Sequence, residues 1–374
     1  MNKTIRLTSL TAMLLFSTAA LAAETTVNGT VYANWMMNLS QGAGNSNAFT
    51  IDRAYLGADS KISDYTNLRI TFDIRPERFT TSSTKTTDSA VDTVNIPALT
   101  AYSGYPVILK YAYADWKVKP IADLLKIRLG LQPTAYVSYV ESAWGRRYIA
   151  KMITDENGWI STSDLGLSAI FALGTQGNMG EAGVSILNGT KYSDVVDKNK
   201  NKDFNVYTKL TPFSRNPKFG QTAIFAQFYT GTQNVTITAP AKTSDWKRQI
   251  VSLGGKLAYE KWADVAVDLD FQTLGQGPGQ TDLKQSGLSF WGELYLNGIV
   301  PAESFLRTLA LFGRADVYDP NTSVSKNGST LVIGGIECAP VKGVKAAIGY
   351  KQTSYQAPGT SALKFVFVDT EFKF

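Results

Sequence analysis

The chain closes on Ala362-Leu363-Lys364-Phe365-Val366-Phe367-Val368-Asp369-Thr370-Glu371-Phe372-Lys373-Phe374. From Val366 onward, Val366, Val368, Thr370, Phe372 and Phe374 fall on one side of an extended chain, and Asp369, Glu371 and Lys373 on the other. A period of two belongs to a strand, because successive Cβ atoms point to opposite faces. One face is apolar and aromatic, the other charged. Two settings share that pattern: the closing strand of a soluble sheet, and a membrane-spanning strand with lipid on one side and water on the other.

The opposite end of the sequence weighs toward the second. Lys3 and Arg6 give a positive start, an apolar run over 10–21 follows, and Ala20-Leu21-Ala22 is a small-x-small cleavage signal. That combination predicts a secretory leader over 1–22, cut after Ala22 or Ala23, with 23–374 as one mature unit. The apolar run is too short for a spanning helix, which needs roughly 20 residues, and no later run approaches that length. No cysteine lies near the cut, so no lipid anchor is expected there.

Composition excludes several kinds of chemistry. The sequence contains no histidine, which rules out a Ser-His-Asp triad, a histidine general base and the usual catalytic zinc site. The single cysteine, Cys338, allows no intrachain disulfide and reads as a small residue filling a strand position. No c-type haem motif is present, and no cofactor, metal or enzymatic activity is expected. The formal charge of +6 includes Lys3 and Arg6, leaving +4 on the mature chain. That is too mild and too scattered to predict nucleic-acid binding. Charged residues make up 18% of the chain, below the roughly 25% of soluble domains.

Alternation recurs through the chain. Over 27–39, Val27, Val31, Ala33, Trp35 and Met37 oppose Asn28, Thr30, Tyr32, Asn34 and Asn38. A second strand is predicted over 49–59. The third is the cleanest, with Leu68, Ile70, Phe72 and Ile74 against Asn67, Arg69, Thr71, Asp73 and Arg75. Charges of both signs along one face suit water and not a dry core. A polar, aperiodic stretch over 80–95 reads as a long external loop. Strands over 107–118 and 124–131 flank a short turn at Pro120-Ile121, and Leu125, Ile127, Leu129 and Leu131 alternate with Lys126, Arg128, Gly130 and Gln132. Periodicity then stops over 134–159, a segment expected to fold into the interior and narrow it. Beyond it lies a meander in which Val265, Val267, Leu269 and Phe271 oppose Asp264, Asp268 and Asp270. No helix is expected after the leader. Counting gives about sixteen strands, with short and long turns in alternation. The predicted fold is all-β: a transmembrane antiparallel β-barrel, closed so that no sheet edge is exposed and wide enough to hold water.

Several stretches resemble the phosphate-selective porins O and P of bacterial outer membranes. They are Ile51-Asp52-Arg53-Ala54-Tyr55-Leu56-Gly57 with Asn67-Leu68-Arg69-Ile70-Thr71-Phe72-Asp73, then Leu109-Lys110-Tyr111-Ala112-Tyr113-Ala114-Asp115-Trp116, Leu125-Lys126-Ile127-Arg128-Leu129-Gly130-Leu131-Gln132-Pro133, and Gly313-Arg314-Ala315-Asp316-Val317-Tyr318-Asp319-Pro320-Asn321. The closing aromatic, Phe374, also resembles the terminal residue of outer-membrane barrels. The sequence departs from the family after Gln132, which is followed by Pro133-Thr134-Ala135 where the family carries a basic residue and then a proline-phenylalanine pair. No lysine-rich ladder is visible. The resemblance therefore implies the fold and a pore in the outer membrane, among lipid and lipopolysaccharide. It does not extend to phosphate selectivity. For assembly it implies a homotrimer.

The function expected is passive diffusion of small polar solutes or ions, with a weak preference for anions. Arg53, Arg69, Asp73, Arg75, Lys126, Arg128, Arg314 and Asp316 are the pore-lining candidates. Glu141, Arg146 and Arg147 are the constriction candidates. Two alternatives stay open: a barrel with a closed lumen that binds or adheres through its external loops, and a soluble secreted β-protein.

Overall fold

The computed structural model describes residues 24–76, 104–119, 121–260 and 262–374. The leader expected over 1–22, the loop expected over 80–95, and Pro120 of the predicted turn lie outside the described residues. Among those described, sixteen strands form one closed antiparallel barrel in which each pairs with its sequence neighbours and the first pairs with the last.

The first five are β1 (Glu24–Asn38), β2 (Asn47–Lys61), β3 (Thr66–Ile74), β4 (Val107–Lys117) and β5 (Leu125–Pro133). Next come β6 (Ser163–Leu173), β7 (Gly180–Leu187), β8 (Asp203–Leu210), β9 (Ala223–Thr232), β10 (Lys247–Tyr259) and β11 (Ala263–Leu274). The circuit is completed by β12 (Leu283–Tyr295), β13 (Leu309–Asp319), β14 (Ser329–Val341), β15 (Val344–Tyr355) and β16 (Leu363–Lys373).

The period of two sorts every strand into a wet and an apolar face. On β3, Leu68 and Ile70 are exposed on the outside while Thr71 and Asp73 are buried inside. On β11, Val265, Val267 and Phe271 face out while Asp264, Asp268 and Asp270 are buried. Leu129, 62% exposed, shows how fully the outer face presents hydrocarbon. A continuous apolar exterior around a closed barrel is the surface a bilayer requires. Cys338 sits half-buried on β14 with Thr308 Oγ1 3.4 Å from its sulfur.

The seam runs from Thr30 opposite Lys373 to Asn38 opposite Phe365. Gly29 and Phe374 extend it by exchanging backbone hydrogen bonds of 3.0 and 3.1 Å. The Phe374 ring lies over Gly29, where an added Cβ would fall 2.2 Å from the ring. Glycine is what permits that close approach.

Three register shifts interrupt the described wall. One falls between Cys338 and Val341 beside the β14–β15 turn; the other two are bulges that bear on the interior. Tyr32 pairs with Arg53 and Ala33 with Ile51, leaving Asp52 as the extra residue of β2. Thr71 pairs with Tyr111 and Phe72 with Leu109, leaving Lys110 as the extra residue of β4. An extra residue turns consecutive side chains toward one face, and Arg53 and Lys110 are both buried inside.

Val267→Arg, on the outer face near the middle of β11, is expected to lower the unfolding free energy by about 2–4 kcal/mol in lipid vesicles. Denaturant titration measures it, and an unchanged midpoint would show that this face does not meet hydrocarbon.

Candidate functional site: a loop folded into the barrel

Between β5 and β6 the chain turns inward. Thr134 and Thr162 clamp the base of this loop through a backbone hydrogen bond of 3.0 Å. Within it lie α1 (Ala135–Trp144) and α2 (Ile153–Glu156), which correct the expectation of no helix after the leader. The sequence of α1 does carry a helical period: Tyr136, Tyr139, Val140, Ala143 and Trp144 are buried at helical spacing. Ten residues are too few for a stable helix in water, so α1 depends on the wall it packs against.

That wall is built to receive it. Trp144 meets Trp291 of β12 and Phe312 of β13 edge-on, with ring centroids 6.3 and 6.1 Å away. Tyr139 stacks on Phe225 of β9 at 6.1 Å and donates to Glu181 of β7. Tyr136 donates to Asp268 at 2.5 Å. At Gly254, on the neighbouring β10, a Cβ would lie 3.0 Å from Asp268 and 3.1 Å from the Tyr136 hydroxyl. A side chain there would crowd that contact.

The two loop arginines part company. Arg146 is 1% exposed and lies between Glu293 of β12 at 2.6 Å and Glu337 of β14 at 3.1 Å. Tyr148 donates to the other oxygen of Glu337 at 2.5 Å, and Lys345 donates to Gly145 O at 3.2 Å. Arg146 therefore staples the loop to the wall. Arg147 pairs within the loop, with Glu141 and with Asp155, the latter at 2.9 Å. Burial opposes ionisation of Asp155, but Arg147 and Lys151 beside it outweigh that and hold its carboxyl below the ordinary value. Arg314 of β13 makes a bidentate contact with Asp316 at 2.8 and 2.6 Å and donates to Lys151 O at 2.7 Å. Of these two predicted residues, Arg314 braces the loop and Asp316 fixes its guanidinium.

The other predicted residues gather on the wall formed by β2 to β5. Arg53 donates to the Tyr55 hydroxyl at 2.9 Å and lies 3.4 Å from Asp73. Tyr192, from the loop between β7 and β8, donates to Asp73 at 2.7 Å, and the Arg75 guanidinium lies over its ring at 5.6 Å. Arg69 lies over Tyr111 at 5.4 Å. Arg128 lies over Tyr113 at 4.2 Å and grips Asp115 at 2.6 and 2.8 Å, with Lys126 3.5 Å from the same carboxylate. Cations and tyrosines thus alternate down this wall. Across the interior, Asp264, Asp268, Asp270, Glu293, Glu337, Asp369 and Glu371 make the wall from β11 to β16 acidic. Opposite charge on the two sides of the interior sets a transverse field across it.

The periodic reading missed Lys110, Tyr55, Tyr192, Glu293 and Glu337. Strict alternation puts Lys110 outside, and only the bulge brings it in. Glu293 was within reach, since Trp291 and Glu293 share the inner face of β12. Two cavities adjoin the loop. One of about 590 Å³ is lined by Lys117, Lys126, Tyr139, Glu181 and Lys209. The other, of about 330 Å³, is lined by Arg146, Lys256, Glu293 and Lys345. Among the described residues, no three histidine, cysteine or acidic side chains are grouped to hold a metal ion.

Comparison with solved structures finds the same architecture in bacterial outer-membrane proteins. The anion-selective porin from Comamonas acidovorans superposes with a TM-score of 0.61 at 11% identity, covering 94% of this chain and 100% of that one. OprB of Pseudomonas putida gives 0.60 at 8% identity, with 94% of each chain covered. The outer membrane channel DcaP of Acinetobacter baumannii gives 0.58 at 12% identity, covering 95% of this chain and 98% of that one. At these identities the likeness is one of fold: a sixteen-stranded transmembrane barrel of the kind found in porins. No family model and no curated protein matches the sequence.

Arg146→Ala would leave Glu293 and Glu337 buried without their common partner, at an expected cost of about 3–5 kcal/mol. Denaturant unfolding should register that loss, and trypsin should begin to cut within 134–162. A loop that stays protease-resistant would show that the aromatic contacts alone hold it.

Proposed function

We propose that this protein is a porin of the bacterial outer membrane, reached through its leader and used for passive diffusion of small polar solutes or ions. One observation carries the reading: the segment between β5 and β6 packs inside a closed barrel whose exterior is apolar. It faces a cationic wall on one side and is pinned to an acidic wall on the other. Such a barrel narrows its own water path, and charge together with width then decides what passes. Arg53, Arg69, Asp73, Arg75, Lys126 and Arg128 are the wall of that path. Glu141 and Arg147 form the rim of the loop, while Arg146, Arg314 and Asp316 hold the loop in place. The balance of charge on the β2 to β5 wall favours anions weakly.

The resemblance to phosphate-selective porins supports a pore and not a phosphate channel, because carboxylates cap most of the inward arginines. Lipid and lipopolysaccharide surround the barrel, and assembly as a homotrimer fits its porin-like shape. The reading asks no chemistry of any side chain, in keeping with a sequence without histidine.

Purified protein in a planar bilayer under a salt gradient is expected to give discrete conductance steps and a reversal potential of modest anion preference. Arg147→Gln should move that potential toward cations. Protein that is folded, as its heat-modifiable gel mobility would show, yet passes no current would instead favour a closed barrel acting through its external loops.

A further inference from the structure

The larger cavity beside the folded loop, about 590 Å³, lies toward the end of the barrel away from the one where the 134–162 segment enters. Two strand pairs supply its charged lining. Lys117 at the end of β4 faces Lys126 of β5, and Glu181 at the start of β7 faces Lys209 of β8. All four side chains are half-buried, so each keeps an open side. Between the pairs, β6 presents Ile170 and Ala172. Asp123 stands exposed at the rim. Among the described residues no carboxylate lies within ion-pair distance of Lys117 or Lys209. Lys126 is 3.5 Å from Asp115, which Arg128 holds more closely at 2.6 Å. Lys209 lies over the Tyr139 ring at 5.6 Å. Tyr139 donates to one oxygen of Glu181, and among the described residues no donor reaches the other.

The cavity thus has two poles: a pair of ammonium groups, and an ammonium beside a carboxylate. Neighbouring strands run about 4.8 Å apart, which sets the β5 and β7 backbones about 10 Å apart, and the long side chains close part of that span. Building on the porin reading, we propose that this cavity is a subsite for an acidic amino acid, a short chain with a carboxylate at one end and an ammonium and second carboxylate at the other. Lys117 and Lys126 take the lone carboxylate. Lys209 takes the second, and the open oxygen of Glu181 accepts from the ammonium. The methylenes between them lie over Ile170 and Ala172.

The sign and spacing of the charges select that class. Ionised donors and acceptors bind each other roughly twice as strongly as neutral ones, and a charge left facing its like counts against a ligand. Inorganic phosphate is compact and reaches one pole only. Glutarate answers the lysines at both poles but turns a second carboxylate toward Glu181 with no ammonium to offset it. 4-Aminobutyrate answers Lys117, Lys126 and Glu181 and leaves Lys209 without an anion. Glutamate answers all four.

The test is single-channel recording of chloride current with glutamate, glutarate, 4-aminobutyrate or inorganic phosphate added on both sides. It would be run on wild-type protein, Lys117→Gln, Glu181→Gln and Lys326→Gln, the last removing an exposed charge from the loop between β13 and β14. Glutamate should block wild-type and Lys326→Gln channels at lower concentration than the other three solutes. In Lys117→Gln its half-blocking concentration should rise about tenfold, the scale of one charge-assisted hydrogen bond. Glu181→Gln keeps an acceptor for Tyr139. It should raise the glutamate value about tenfold without raising that of glutarate, bringing the two together, and it serves if Lys117→Gln does not fold. Three results would each overturn the subsite and leave the porin standing: another of the solutes blocking wild type as well as glutamate does, equal block of wild type and Lys117→Gln by glutamate, or a preference for glutamate over glutarate that survives Glu181→Gln. A folded wild-type barrel with no conductance would take down both.

Discussion

Backbone hydrogen bonding governs this molecule. In hydrocarbon no water is present to satisfy an amide, so every N–H and C=O of a spanning strand must find a partner within the sheet. The sheet meets that demand by closing, β1 against β16. Closure forces each strand to have an inside and an outside, and the period of two then separates lipid-facing Val, Leu and Phe from inward Asp, Arg and Tyr. The curved wall also leaves an interior too wide for its own side chains to fill, and this gives the loop between β5 and β6 somewhere to go.

What fills that interior is governed by desolvation. A buried charge costs several kcal/mol unless it is paired and hydrogen-bonded, and the inward surface carries many. The folded loop brings Arg146 to Glu293 and Glu337 and Tyr136 to Asp268, answering acids that water alone would otherwise have to solvate. Its aromatic residues meanwhile find Trp291, Phe225 and Phe312. Packing and charge agree on one side of the barrel. The opposite wall keeps its cations, several laid over tyrosine rings, and the asymmetry of the interior follows from where the loop docks.

Much of the architecture was legible because it repeats. Alternation on β3, β5, β11 and β16 identified the inner and outer faces directly, and the loss of alternation after Pro133 marked the folded loop. The helix α1 was not legible, because it is short and its pattern is carried by tyrosines and small residues in place of an aliphatic stripe. Lys110 was hidden by a bulge, which breaks the parity on which the reading depends. Tyr192 was hidden because it reaches Asp73 from a loop far away in sequence, and no local pattern announces a contact of that range. The roles of Arg146 and Arg147, neighbours in sequence, diverge only once their partners on β12, β14 and α2 are placed.

The seam between Gly29 and Phe374 carries a kinetic consequence. Each other pairing joins strands that follow one another along the chain, so hairpins can form in succession with modest loss of loop entropy. The seam alone unites the two ends of the sheet. Until it forms, β1 and β16 both present unsatisfied edges of the sort that recruit foreign strands. The ring of Phe374 resting on Gly29 thus lies on the least local pairing of the sheet, the one whose closure costs the most chain entropy.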